Sequence, residues 1–186
     1  MVSIALVGMP GSGKSTAGRH LAKRLGWRFV DSDAQIETRI GGTIRSYFER
    51  EGEVAFRDVE SAVIAELSVL DRTVIATGGG AVQLPQNRAA LRAGCHVVYL
   101  RTTPEELFRR LRNDQQRPML QVADPQARLR QLHAARDPLY REVAHFIIET
   151  GRPTVQALTG MILAQLELAG IFDARGGDTP PTPRPA

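Results

Sequence analysis

The sequence lacks several features that would assign it to a particular class of protein. Its 186 residues include one cysteine, Cys95, which excludes an intramolecular disulfide and fits a reducing compartment. No run approaches the roughly 18 uncharged apolar residues of a membrane-spanning helix. The apolar residues 2–7 lack the basic segment and the cleavage site of a signal peptide. We therefore expect a cytoplasmic protein that does not span a membrane.

Lysine is also scarce. Two of the 24 basic residues are lysines, Lys14 and Lys23, and the others are arginines. The planar guanidinium group suits carboxylates and phosphates, so a small anionic ligand is plausible. Solvated helix faces explain the charge more simply. A nucleic-acid partner is not expected, because the arginines are dispersed among carboxylates and aromatic residues make up only 5% of the chain.

Short apolar segments alternate with helical patterns along the chain. Strands are predicted at 2–7, 28–31, 73–76, 95–100 and 146–148. Helices are predicted at 16–25, 34–70 (broken at Gly41–Gly42 and near Gly52), 85–93, 104–112, 125–140 and 154–168. This alternation indicates a parallel sheet covered by helices on both faces. We expect one domain over residues 1–169 and a disordered tail at 170–186, which is rich in proline and glycine.

The clearest motif lies directly after the first predicted strand. Residues 8–15, GMPGSGKS, match the phosphate-binding pattern G-x-x-x-x-G-K-[ST] in full. Glycines allow backbone N–H groups to surround phosphate oxygens, and the following helix directs its positive end at the same anion. Lys14 can neutralise the transferred phosphoryl group, and the Ser15 hydroxyl can bind Mg²⁺. The motif predicts ATP or GTP binding but does not identify the phosphate acceptor.

Two aspartates, Asp31 and Asp33, end the second predicted strand. Residues two apart in an extended segment share a face, so both carboxylates can point toward the phosphates at the edge of the sheet. One carboxylate can hold Mg²⁺, and the other can take a proton from an acceptor hydroxyl. The alternative is that Asp33 only caps the helix predicted from Ala34.

Arginines at 57 and 136 have equally simple explanations. Surface ion pairs with Glu53 and Glu60 account for Arg57, and a structural pairing accounts for Arg136, which precedes Asp137.

The remaining candidates lie in turns and loops. The glycines Gly78–Gly80 form either a flexible turn or a place where a ligand meets bare backbone. Arg117, in the polar stretch 113–123, is either a solvated arginine or a lid residue that closes over the γ-phosphate and excludes water.

Taken together, these segments resemble the shikimate kinase family, a group of small P-loop kinases. The matching segments occur in that family's order: GMPGSGKST at 8–16, DSD at 31–33, FR at 56–57, GGG at 78–80, RPML at 117–120 and RDPLY at 136–140. The resemblance covers residues 1 to about 168. It implies a three-layer α/β/α P-loop NTPase fold with a central five-stranded parallel sheet, a mobile lid at about 113–124 and substrate-binding helices at about 33–61.

The resemblance also implies a reaction: transfer of the γ-phosphate of ATP to the 3-hydroxyl of shikimate, in the pathway to chorismate and the aromatic amino acids. The enzyme would be a monomer. The implied catalytic residues are Lys14, Asp33 and Arg117, and the implied Mg²⁺ ligands are Ser15 and Asp31. ATP contacts are implied at Gly11, Ser12, Gly13, Lys14, Ser15, Thr16, Arg110, Arg117, Arg152 and Pro153. Shikimate contacts are implied at Asp33, Ile44, Phe48, Phe56, Arg57, Gly78, Gly79, Gly80 and Arg136.

Other functions stay open at this point. A kinase for gluconate shares the requirement for hydroxyls and a carboxylate. A nucleoside monophosphate fits the arginines, but the aspartate pair would repel its phosphate. A nucleotide-dependent switch or a nucleic-acid-binding ATPase is the non-kinase alternative, although the N-K-x-D segment that reads a guanine base is absent from the sequence.

Overall fold

The computed structural model describes residues 2–111, 122–151 and 154–172. Five strands occur in it: β1 Ile4–Val7, β2 Arg28–Asp31, β3 Thr73–Ala76, β4 His96–Arg101 and β5 Phe146–Glu149. Seven helices surround them: α1 Lys14–Leu25, α2 Ser32–Ile40, α3 Ile44–Ser68, α4 Pro85–Gly94, α5 Pro104–Leu111, α6 Pro125–Val143 and α7 Val155–Leu168. Within these residues, no helix has the length and apolar character of a membrane span.

The strands form one parallel sheet in the order β2-β3-β1-β4-β5. The central strand, β1, is buried along its whole length, as expected for a strand covered on both faces. Its side chains alternate between two apolar clusters. Ala5 and Val7 join the cluster formed with α2, α3, α4, α5 and α6, whereas Ile4 and Leu6 join the cluster formed with α1 and α7. The predicted three-layer α/β/α fold is therefore confirmed.

Several boundaries differ from the sequence prediction. The first helix starts at Lys14 and not at Thr16, because Gly13 takes a left-handed conformation and ends the preceding loop there. Helix α6 continues past Tyr140 to Val143, which is buried against the sheet. The long helical region breaks as predicted, at Gly41 and at Gly52, whose φ is 85°. Most of the predicted lid and residues 173–186 of the predicted tail lie outside the described residues.

Candidate active site

The phosphate-binding motif forms a loop between β1 and α1. Three of its glycines, Gly8, Gly11 and Gly13, have positive φ, which L side chains rarely adopt. A Cβ at Gly8 would also lie only 2.7 Å from the carbonyl oxygen of Leu100 in β4. Backbone conformation and packing thus explain why glycine is needed in the motif. The loop leads directly into the N-terminus of α1, where backbone N–H groups and the helix dipole favour an anion.

Lys14, the first residue of α1, is buried and lies across this loop. Its Nζ donates hydrogen bonds to the carbonyl oxygens of Gly8 and Met9, each at 2.9 Å. A third contact, to Ser12 Oγ, measures 3.5 Å. These contacts hold one positive charge inside the loop, where a phosphate oxygen would need it.

A cavity of about 430 Å³ opens beside the loop. It brings together three separate motifs: the phosphate loop, the aspartate pair and the glycine run. Its lining residues are Pro10, Gly11, Gly13, Lys14, Ser15, Thr16, Asp31, Asp33, Thr77, Gly78, Gly79, Arg110 and Leu111. These motifs meet because β1, β2 and β3 are neighbours whose carboxyl ends share one edge of the sheet.

The aspartates are placed differently from the sequence prediction. Only Asp31 is in the strand, and Asp33 lies in the first turn of α2, so the two do not share the face of an extended segment. The helix cap is Asp31, whose Oδ1 accepts from the N–H groups of Asp33 at 3.1 Å and Ala34 at 3.5 Å. The suggestion that Asp33 is the cap is therefore wrong. Both carboxylates nevertheless line the cavity.

The Asp33 side chain is partly buried and lies near other charged groups. Its pKa is raised from 3.8 to about 6, chiefly by burial and next by the Asp31 carboxylate, whereas the Lys14 ammonium opposes the shift. A carboxylate with a pKa near neutrality is a suitable general base, because it is ionised at pH 7 yet still binds a proton appreciably.

Arg57 reaches the same region from α3. Its Nη1 donates to Glu60 Oε2 at 2.6 Å and to the Gly80 carbonyl oxygen at 3.5 Å, and its Nη2 lies 3.4 Å from Glu53 Oε1. The sequence suggested surface ion pairs for this arginine. That holds for Glu53 but not for Glu60, because the Arg57 and Glu60 side chains are only 15% and 3% exposed. Burial raises the pKa of Glu60, and its two neighbours Arg57 and Arg136 oppose the rise.

The glycine run is packed against the site. A Cβ at Gly78 would overlap Asp33, one at Gly79 would lie 2.6 Å from Pro10 Cδ, and one at Gly80 would lie 2.7 Å from Arg57 Nη1. Each glycine thus lets a different part of the site approach the backbone.

Tyr140, on α6, fixes this backbone from the other side. Its hydroxyl donates to the Gly79 carbonyl oxygen at 2.6 Å, and its ring lies 4.9 Å from that of Tyr99 on β4. Burial raises the pKa of Tyr140 to about 12, so the hydroxyl keeps its proton and stays a donor.

The predicted apolar contacts lie on α3, outside the residues that line the cavity. Phe56 is buried and its ring lies 5.5 Å from that of Phe48, which is 37% exposed. Ile44 begins the helix and packs against the main apolar cluster.

Some of the residues predicted to contact ATP lie within the described part of the chain. Arg110 donates to the carbonyl oxygens of Gly11 at 3.3 Å and Gly151 at 2.8 Å. A second cavity, of about 420 Å³, lies next to it between the phosphate loop, α5 and the start of α7. Arg117, Arg152 and Pro153 lie outside the described residues, and their roles stay predictions.

Comparison with known proteins identifies the family. A model of the shikimate kinase family matches residues 10–167, which is most of the chain. The chain belongs to the shikimate kinase family. It is 59% identical to a shikimate kinase of Paracidovorax citrulli over 173 residues, covering 91% of this chain and 94% of the relative. A shikimate kinase of Ralstonia nicotianae is 52% identical over 178 residues, covering 96% and 94% of the two chains.

Solved structures agree with this assignment. The shikimate kinase of Acinetobacter baumannii, determined in complex with shikimate, superposes with a TM-score of 0.86 at 47% identity. The match covers 93% of this chain and 96% of that protein. This family member is therefore an ATP-dependent phosphotransferase with shikimate kinase activity.

Two contacts of this shikimate kinase site were not predicted from the sequence. Tyr140 belongs to the RDPLY segment, but nothing in the segment indicates that its hydroxyl contacts Gly79, 61 residues away. Gln83 follows the glycine run, and its carboxamide oxygen accepts from Arg136 Nη2 at 3.0 Å and Arg57 Nη2 at 3.2 Å. No motif in the sequence indicates this glutamine.

Proposed function

We propose that the enzyme transfers the γ-phosphate of ATP to the 3-hydroxyl of shikimate, with Asp33 taking the proton of that hydroxyl. The single observation that carries the proposal is the placement of Lys14 and Asp33 on the same cavity. The Lys14 ammonium group would neutralise negative charge that develops on the transferred phosphoryl group, and the Asp33 carboxylate would accept the proton of the attacking hydroxyl. The raised pKa of Asp33, about 6, suits this role at neutral pH.

The acceptor carboxylate is held by Arg57 and Arg136. These guanidiniums converge on one side chain, that of Gln83, and so face a common point beside Gly80. Two charge-assisted hydrogen bonds to one carboxylate would each contribute roughly 1.5–3 kcal/mol. The ring would lie against backbone at Gly78–Gly80, near the apolar side chains Ile44, Phe48 and Phe56.

Mg²⁺ would be held by Ser15 and Asp31. The fit rests on chemistry seen in the site, since Ser15 Oγ lies 2.7 Å from Asp31 Oδ2 and both are the hard oxygen donors that Mg²⁺ prefers. Among the described residues, no group of three or more His, Cys, Asp or Glu side chains could hold a metal ion by itself. This suits an ion that is also bound by phosphates and water. When bound, Mg²⁺ would neutralise charge on the ATP phosphates.

ATP would bind along the phosphate loop, through Gly11, Ser12, Gly13, Lys14, Ser15 and Thr16. The adenine ring of ATP would lie in the second cavity beside Arg110, whose guanidinium contacts both the phosphate loop and Gly151. We also include Arg117, Arg152 and Pro153 in this assignment, because the resemblance of the sequence to the family implies them.

The domain organisation, the oligomeric state and the cellular compartment of the protein are also part of the proposal. We propose one kinase domain over residues 1–169, acting as a monomer in the cytoplasm. The thiol of Cys95 is free and buried, which suits a reducing compartment. Light scattering after size-exclusion chromatography tests the monomer, and a mass of two chains would contradict it.

The role of Asp33 and the site of phosphorylation are tested in two steps. Phosphorus–proton correlation NMR of the product should place the phosphate on the 3-hydroxyl. The pH profile of kcat/KM for shikimate should fall with unit slope below about pH 6, because Asp33 must be ionised to accept a proton. Asp33→Asn should lose this limb together with at least about a hundredfold in kcat. An unchanged kcat in Asp33→Asn would contradict the assignment of Asp33 as the base.

A further inference from the structure

Gln83 lies at the meeting point of the two arginines that are proposed to bind the acceptor carboxylate. It belongs to the turn between β3 and α4, where its backbone N–H donates to the Gly80 carbonyl oxygen at 3.0 Å. Its carboxamide oxygen accepts from Arg57 Nη2 at 3.2 Å and Arg136 Nη2 at 3.0 Å. A guanidinium has only donors, so the amide must present its oxygen to both. One neutral side chain thus bridges two cations from different helices.

The position of this bridge coincides with the acceptor side of the site. The point where a Cβ of Gly80 would lie is 2.7 Å from Arg57 Nη1 and 3.0 Å from the terminal amide group of Gln83. Gly80, Arg57 and Gln83 therefore converge at one place, next to the backbone that is proposed to contact the ring. A ligand that bridges the two arginines would have to share their N–H groups with Gln83 or replace it.

Two acidic side chains already balance part of the charge of this arginine pair. Glu60 is a buried carboxylate that contacts Arg57 and interacts with Arg136. The second acidic partner of Arg57, Glu53, is 61% exposed, so solvent weakens its effect. A neutral group at position 83 adds no further negative charge beside the two guanidiniums, whereas a carboxylate there would.

We propose that Gln83 is a specificity-determining residue, whose neutral carboxamide positions Arg57 and Arg136 without neutralising them and so preserves the preference for a carboxylate-bearing acceptor. This inference rests on the proposed binding of the acceptor carboxylate by the two arginines. It concerns acceptor binding and not phosphoryl transfer, so the effect should appear in KM for the acceptor and not in kcat or in KM for ATP.

The test compares Gln83→Glu with the wild-type enzyme, using shikimate and its neutral carboxamide analogue as acceptors. Gln83→Glu has nearly the same shape but adds a negative charge that competes with the acceptor carboxylate. We expect KM for shikimate to rise by about ten- to a hundredfold. The preference for shikimate over the carboxamide, measured as the ratio of kcat/KM values, should fall by a similar factor.

Two further variants separate charge from structure. Gln86→Glu makes the same change at an exposed position in the first turn of α4 and should leave the KM values of both acceptors unchanged. Gln83→Met keeps the length and the neutrality of the side chain, so it should retain the preference for shikimate with KM raised by no more than about fivefold.

Each outcome separates this inference from the proposed function. If the wild-type enzyme does not phosphorylate shikimate, the proposed function fails first. If the wild type does so and Gln83→Glu keeps the wild-type KM and preference, the assignment of Gln83 is wrong. Two other results would show that Gln83 has only a structural role and would also overturn its assignment. One is an equal loss of kcat/KM for both acceptors in Gln83→Glu. The other is a loss of preference for shikimate in Gln83→Met as large as that in Gln83→Glu.

Discussion

Ser15 Oγ donates a hydrogen bond of 2.7 Å to Asp31 Oδ2 and thereby joins the phosphate loop to the end of β2. The other oxygen of the same carboxylate, Oδ1, accepts from the N–H group of Asp33 at 3.1 Å. One side chain therefore links the proposed Mg²⁺ site with the start of the helix that carries the proposed base. A single aspartate therefore contacts both the part of the site proposed to bind ATP and the part proposed to bind the phosphate acceptor.

This link predicts how the enzyme should respond to metal. Asp31→Asn keeps a cap for α2 but weakens the oxygen donor set, so the free Mg²⁺ needed for half-maximal activity should rise by about tenfold or more. Removing Mg²⁺ with EDTA should abolish turnover in both enzymes. The measurement is a Mg²⁺ titration at fixed ATP, with the exposed Asp58→Asn as a control of equal charge change. An unchanged Mg²⁺ requirement in Asp31→Asn would remove Asp31 from the metal site.

Burial of Asp33 should make the folded state less stable at high pH. Folding raises the pKa of this carboxyl from 3.8 to about 6, so the folded protein binds the proton more tightly than the unfolded chain. The destabilisation is therefore present above pH 6 and disappears as pH falls through 6 toward 3.8. Asp33→Asn should raise the free energy of unfolding by about 1–3 kcal/mol near pH 8, and the gain should shrink as pH falls. Urea denaturation of both proteins across this range measures it, and a gain that grows on acidification would refute the assigned pKa direction.

The pair Arg57–Glu60 should separate binding from stability. Arg57→Ala leaves the Glu60 carboxylate buried without its arginine, so the free energy of unfolding should fall by about 3–5 kcal/mol. Because the acceptor carboxylate also loses a contact, KM for shikimate should rise about ten- to a hundredfold. Adding Glu60→Gln should recover much of the stability but not the KM. Arg45→Ala, which breaks an exposed pair with Glu49 on the same helix, serves as the control. Recovery of both properties in the double variant would mean that Arg57 has only a structural role.

Gly78 should be intolerant of even a methyl group. A Cβ there would overlap Asp33 Oδ1 and lie 3.2 Å from its Cγ, so Gly78→Ala should displace the carboxylate. We expect kcat to fall by about tenfold or more, because a small displacement of a catalytic group has a large effect on rate. The matched variant Gly42→Ala, where no atom lies within 4 Å of the added methyl group, should keep wild-type activity. Equal activity of the two variants would argue against Asp33 as the base.

Local patterns predicted much of this fold from the sequence. The strands Arg28–Asp31 and Thr73–Ala76 have the bounds that were predicted from the sequence, and the phosphate loop was evident from its glycines and Lys14. These features depend on neighbours along the chain, which is why a single sequence reveals them.

Contacts that depend on the order of strands could not be predicted in this way. Tyr140 reaches Gly79, and Gln83 bridges Arg57 and Arg136, because α3, α6 and the turn after β3 meet in the folded protein. The aspartate pair was assigned to the site although its local geometry was mistaken, because a cap by Asp31 starts α2 two residues earlier than expected. Composition and periodicity carry no information about either effect.

Release of ADP in the presence of Mg-ATP, compared among shikimate, gluconate, AMP and no added acceptor, identifies the phosphate acceptor. We expect turnover that depends on shikimate, with the rates for gluconate and AMP close to the rate without acceptor. Turnover with gluconate or AMP in place of shikimate would keep the phosphate site but contradict the assignment of Arg57, Arg136 and Asp33 to shikimate.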